Sequence, residues 1–134
     1  MEQILVYKIS TKYSLHIPVN ACGRGLRIMH LGPILMNGSV TVGENCTFHI
    51  NTALVAGGTS HGVPTLGNNV ICGIGSVVCG EVFIADNIAI GANAVVNKSF
   101  YEQDIGIAGV PAKKISQNGA TKWGKNAKPA SQDK

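Results

Sequence analysis

Four histidines and four cysteines are the side chains of this chain best suited to proton transfer, nucleophilic attack or metal binding. His30 lies in Leu26-Arg27-Ile28-Met29-His30-Leu31-Gly32-Pro33, and His61 lies in Gly57-Gly58-Thr59-Ser60-His61-Gly62-Val63-Pro64. Both stretches are breaks in an otherwise regular pattern, and loops that leave a rigid scaffold tend to carry binding groups. His49 follows Phe48 inside the regular pattern, and His16 lies upstream where no register can be assigned. Among the cysteines there is no CxxC and no Cys/His cluster with zinc spacing. Cys46 and Cys72 fall on inward positions of that pattern, where Cys acts as a small hydrophobe. Structural filler is therefore expected of the cysteines, and no metal. Gly73-Ile74-Gly75 is a fragment of a dinucleotide fingerprint without its third Gly or following helix, better explained as corner glycines. No P-loop, GxSxG, HExxH or recognisable pair of catalytic acids occurs.

The elements that must position these residues are announced by a count in sixes. From Val42 the steps reach Phe48, Leu54, Ser60, Leu66, Cys72, Val78, Ile84, Ile90 and Val96. The next residue is often small, as at Gly43, Gly67, Gly73, Ala85 and Gly91. A second column, Cys46, Thr52, Gly58, Pro64, Val70, Ser76, Val82, Ile88 and Ala94, is mostly small or β-branched. A period of six fits neither a helix nor simple alternation. It predicts a parallel β-solenoid in which each short strand turns a corner and the next coil stacks on it. One hexad cannot bury its own apolar face, so neighbouring coils must do so. If three hexads make a coil, residues 24–113 hold about five coils. Corner glycines are expected to supply the φ values that a turn demands. A β-sandwich would give turn signals every 8–12 residues and no fixed period.

Length and composition agree with one core-rich domain: 134 residues, 45% hydrophobic and 13% charged. The net charge of +4 is local. Residues 113–134 carry +5 and the remainder −1, so the body does not suggest a nucleic-acid partner. The expected organisation is an N-terminal segment 1–16, a repeat domain 17–115 and a basic flexible tail 116–134. No stretch approaches the roughly 18 apolar residues of a membrane span, and Met1 to Lys8 has an acid where a signal peptide wants base. A cytoplasmic protein with no membrane partner is expected.

The hexads, the His30-Leu31-Gly32-Pro33 stretch, the Gly57-Gly58-Thr59 turn and the closing Ala108-Gly109-Val110-Pro111-Ala112-Lys113 together resemble the hexapeptide-repeat acyltransferases. Within that superfamily the resemblance is to the serine acetyltransferase-like group, including its short members linked to surface-polysaccharide synthesis, and it covers roughly residues 13–115. It implies a left-handed β-helix, a homotrimer, and acetyl-CoA as co-substrate bound in the groove between neighbouring subunits.

The same resemblance implies that His30 is the catalytic base. An imidazole of pKa about 6.5 can take the proton of a hydroxyl as its oxygen attacks the thioester, typically worth about 10²–10⁴ in rate. Backbone N–H groups at Gly57 and Gly58 are expected to serve the oxyanion, and His61 to bind the acceptor from a neighbouring subunit. Small residues at Gly73, Ala92 and Gly109 are expected to let pantetheine approach the backbone, with the phosphates near Lys113 and Lys114. Two positions depart from the serine-specific pattern. Met29 stands where an Asp would orient the base, leaving a backbone carbonyl or Glu44 as candidates for that task. No Arg accompanies His61 to fork a carboxylate. The expected acceptor is therefore the hydroxyl of serine or of a sugar. Two other readings compete: a non-catalytic repeat scaffold, and a trimeric zinc carbonic anhydrase using His30, His49 and His61.

Overall fold

The computed structural model describes residues 12–123, which form a left-handed, three-sided parallel β-helix. The first face is built from Leu15–His16, Ile34–Met36, Thr52–Val55, Val77–Cys79 and Val95–Val96. The second contains Thr41–Val42, Thr65–Leu66 and Phe83–Ile84, extended by single bridges from Cys22 to Val42 and from Ile84 to Phe100. The third contains Arg27–Ile28, Thr47–Phe48, Ile71–Cys72, Ala89–Ile90 and Gly106–Ala108. Each face thus has five levels, the five coils that the spacing predicts. Lys113–Ser116 then folds back antiparallel on the last rung of the third face.

Both hexad columns point into the prism. Phe48, Cys72, Val78, Ile84, Ile90 and Val96 have no solvent exposure, and Cys46, Val70, Ile88 and Ala94 match them in the second column. Ser60 and Gly58 are the exceptions. They lie exposed in loop 56–64, where Leu54 and Leu66 are separated by two steps instead of one. The loop adds six residues to a corner, so the count keeps its phase while the chain leaves the coil. Cys46 and Cys72 are free and buried, as filler requires. Burial pushes the Cys72 thiol pKa up, and pushes that of Cys22, beside Cys46, to about 11.

The corners correct one expectation. The small residue after each inward side chain is not where φ turns positive. That task falls to Asn45, Asn69 and Asn87 on one edge and to Asn51, Gly75 and Asn93 on another. Asn adopts the left-handed region at modest cost. Gly73 is small because a Cβ there would sit 2.8 Å from the backbone nitrogen of Ala92 in the coil above.

The domain boundaries also move. Leu15–His16, placed in the N-terminal segment by the sequence reading, pairs with Ile34 and Leu35 as the first rung of the solenoid. At the other end, Ser116 to Trp123 is not a loose tail. Its 3-10 turn Ala120–Lys122 is tied to the Asn87 corner, with the Ala120 N–H donating to Asn87 O at 3.0 Å and the Thr121 N–H donating to Asn87 Oδ1 at 2.8 Å. Ala120 is buried there. The rest of the expected tail, 124–134, lies outside the described residues.

Candidate active site

Three edges join the three faces, and the candidate residues divide between two of them. On the edge from third face to first lie, coil by coil, Met29 to Pro33, His49 to Asn51, Gly73 to Gly75, Gly91 to Asn93, and Gly109 to Ala112. His30, Gly73, Ala92 and Gly109 therefore form one column. His30 stands at the first coil and Gly109 at the fifth, with the Lys113–Ser116 strand following. Four inter-coil steps of about 4.8 Å put these ends roughly 19 Å apart.

The turn that presents His30 is held by close packing. Gly32 is buried, and a Cβ on it would collide with the Ile50 side chain. The Asn51 N–H donates to Pro33 O at 2.7 Å, pinning the turn to the coil above. This is the physical content of the His-Leu-Gly-Pro stretch. Next to it the first face carries an open concavity of about 430 Å³, lined by Ser14, His16, Pro33, Ile34, Leu35, Asn51, Thr52 and Ala53. His16, without a register in the sequence, thus belongs to the neighbourhood of the site. Its place became visible only once Leu15 paired with Ile34.

His49 is half-buried one coil above. Burial, and secondarily the charge of His30, hold its pKa below the usual 6.5. The spacing of 19 residues, close to one 18-residue coil, is what lets these two histidines stack on one edge. Glu44 does not orient His30: it sits on the edge from second face to third, where its N–H donates to Asn68 Oδ1 at 2.8 Å. Met29 is half exposed.

His61 and the Gly57–Gly58 turn lie on the remaining edge, between first and second faces. Gly57 packs toward Gly80, Gly62 lies against the Glu81 side chain, and Gly58 and His61 face open space or solvent. Within one chain, loop 56–64 and His30 belong to different edges of the prism. Among the described residues no group of three or more His, Cys, Asp or Glu side chains comes together as metal ligands would.

The cofactor residues also separate. The Gly73 N–H is spent on Ile90 O at 2.8 Å and its carbonyl accepts from the Ser76 N–H, so this glycine serves coil stacking and offers a ligand no free donor. Ala92 and Gly109 are exposed at their corners. Lys114 is engaged by Glu102, with Nζ 2.5 Å from Oε2 and 2.9 Å from Oε1. Lys113 is exposed and has no ion-pair partner among the described residues.

Comparison with known proteins gives one consistent result, although no family model matches. The chain is 31% identical to a serine acetyltransferase of Synechococcus elongatus over 114 residues, 84% of this chain and 46% of that protein. It is 38% identical to one from Helicobacter pylori over 76 residues, 55% of this chain and 44% of that protein. The chain spans about half the length of the curated relatives it matches. Among solved structures, serine acetyltransferase from Brucella abortus in complex with coenzyme A superposes with a TM-score of 0.75 at 25% identity, over 87% of this chain and 49% of that one. The Neisseria gonorrhoeae enzyme gives 0.66 at 29% identity, over 71% and 38%. Similarity over most of the chain and the shared β-helix place this protein among the hexapeptide-repeat acyltransferases, in the serine acetyltransferase-like group.

Proposed function

We propose that this protein transfers acetyl from acetyl-CoA directly to the hydroxyl of a small acceptor, serine or a sugar. The observation that carries this reading is the single column from His30 to Lys113. It offers a base at one end, the exposed corners Ala92 and Gly109 along its length, and the exposed Lys113 at the other. His30 takes the hydroxyl proton as the oxygen attacks the thioester carbonyl. Collapse of the tetrahedral intermediate expels the CoA thiolate, which takes the proton from the His30 imidazolium, and the base is restored. No acyl-enzyme is required. CoA bound to the Brucella abortus relative supports the choice of co-substrate.

The acceptor side is completed by a second subunit. His61 and the Gly57–Gly58 turn lie on a different edge from His30, so in this reading they serve the site of a neighbour in a homotrimer, with Gly57 and Gly58 donating to the oxyanion. On the first face the outward side chains Leu35, Ala53, Val77 and Val95 form an apolar row that begins beside the polar His16, which suits subunit packing. A cytoplasmic setting fits a co-substrate made there and four free thiols. Release of CoA thiol from acetyl-CoA, measured with serine and with a panel of sugars and nucleotide sugars, tests the activity. No release with any acceptor, from protein that binds acetyl-CoA, would turn the assignment to a non-catalytic scaffold.

A further inference from the structure

Among the described residues, the edge that carries His30 has no carboxylate. Of the five acids among the described residues, Glu81 lies on the edge between first and second faces, and Glu44, Asp86, Glu102 and Asp104 lie between second and third. A base that must face an acceptor with one ring nitrogen needs something to fix the other. We propose that His49 is that positioning residue, its neutral imidazole accepting a hydrogen bond from a ring N–H of His30. The inference rests on the reading of His30 as the base.

The ladder brings the two residues together. Arg27 pairs with Thr47 and Ile28 with Phe48, and the Met29 N–H donates to Phe48 O at 3.1 Å. His49 therefore stands beside Met29, one residue from His30. Its own backbone is fixed on both sides: its N–H donates to Cys72 O at 3.1 Å, and its carbonyl accepts from Thr52 Oγ1 at 3.1 Å. Packing of Gly32 on Ile50 and the Asn51–Pro33 bond draw the His30 turn onto this coil.

Chemistry favours the assignment of roles. A neutral imidazole has one N–H and one lone pair, whereas an imidazolium has two N–H groups and none. His49 is held toward its neutral form by burial first and by the charge of His30 second. When His30 gains the acceptor's proton, His49 stays neutral, and the bond between them becomes charge-assisted. The other charged group on the adjoining rung is Arg27, which is exposed, and the inward thiol of Cys72 in the next coil is kept protonated by burial.

The ring nitrogens of His30 can be followed by NMR through a pH titration in the unliganded parent, in His49→Leu and in His49→Gln, alongside turnover of acetyl-CoA with serine and the sugar panel. The parent should show a single His30 tautomer. In His49→Leu the tautomers should mix, the His30 midpoint should move to lower pH, and turnover should fall about 10–100-fold, the range seen for partners that orient a ligating histidine. The Michaelis constant for acetyl-CoA should not change. His49→Gln, whose amide oxygen still accepts, should recover the single tautomer and most of the turnover. An unmoved or raised His30 midpoint in His49→Leu, or mixed tautomers in the parent, would overturn the positioning role alone. Full activity in His30→Ala would instead overturn the reading beneath it.

Discussion

The two histidine-bearing departures from the hexad are held in opposite ways. The His30 turn is locked to the coil above by a glycine with no room for a Cβ and by the Asn51–Pro33 hydrogen bond. Loop 56–64 leans on the neighbouring corner at Gly57 and Gly62 but presents Gly58 and His61 to solvent. The lesson is a division of labour. Under the proposed function, a proton acceptor that must be placed closely sits on the turn locked to the ladder. In the same reading, a loop that serves a neighbouring subunit's site needs length, and the six inserted residues supply it without disturbing the register.

The largest effect should come from the locked side. His30→Ala should lower turnover about 10²–10⁴-fold while acetyl-CoA still binds by calorimetry. His61→Ala, on the open side, should chiefly raise the Michaelis constant for the acceptor. A larger turnover loss at His61 would reverse the comparison. If the sites are shared, mixing the two inactive variants under subunit exchange should restore part of the activity. Sedimentation showing a 14 kDa monomer at micromolar concentration would remove the shared site altogether.

Next in size is packing. Gly32→Ala should destabilise the fold by about 1–3 kcal/mol, since the new methyl must displace Ile50, and should lower turnover as His30 shifts. Gly58→Ala, with nothing within 4 Å of the added carbon, should leave the melting temperature unchanged. Equal thermal losses at the two glycines would refute the contrast between a locked turn and an open loop.

Smaller still is the pH term at His49. Its folded-state pKa lies below the unfolded value of 6.5, so the unfolded chain binds the proton first and stability falls as pH drops below about 6.5. His49→Leu should flatten that part of the stability profile, measured by denaturant unfolding between pH 5 and 7. The smallest effect distinguishes the lysines. Lys113→Ala should raise the Michaelis constant for acetyl-CoA a few-fold, and Lys114→Ala less, because its ammonium already faces Glu102. The reverse order would place the nucleotide on the Lys114 side.

How much of this was legible beforehand depends on which residues are asked. Val42 through Val96 predict the solenoid, its inward columns and its five coils, because burial repeats with the coil. The role of the corner glycines is not legible in the same way: sequence shows that Gly73 is small, but only stacking shows that Ala92 lies against it. Ser60 illustrates the same limit, since it keeps the period while leaving the coil. Residues 116–123 read as a polar tail because hydrogen bonding to a corner such as Asn87 leaves no hydrophobic periodicity.

Side-chain type and spacing are enough to set the repeat, the core and the identity of the groups able to do chemistry. The 19-residue spacing of His30 and His49 already fits one coil, but only the fold moves Glu44 and His61 to other edges and pairs Lys114 with Glu102, because a solenoid brings together residues about a coil apart and separates neighbours by a corner.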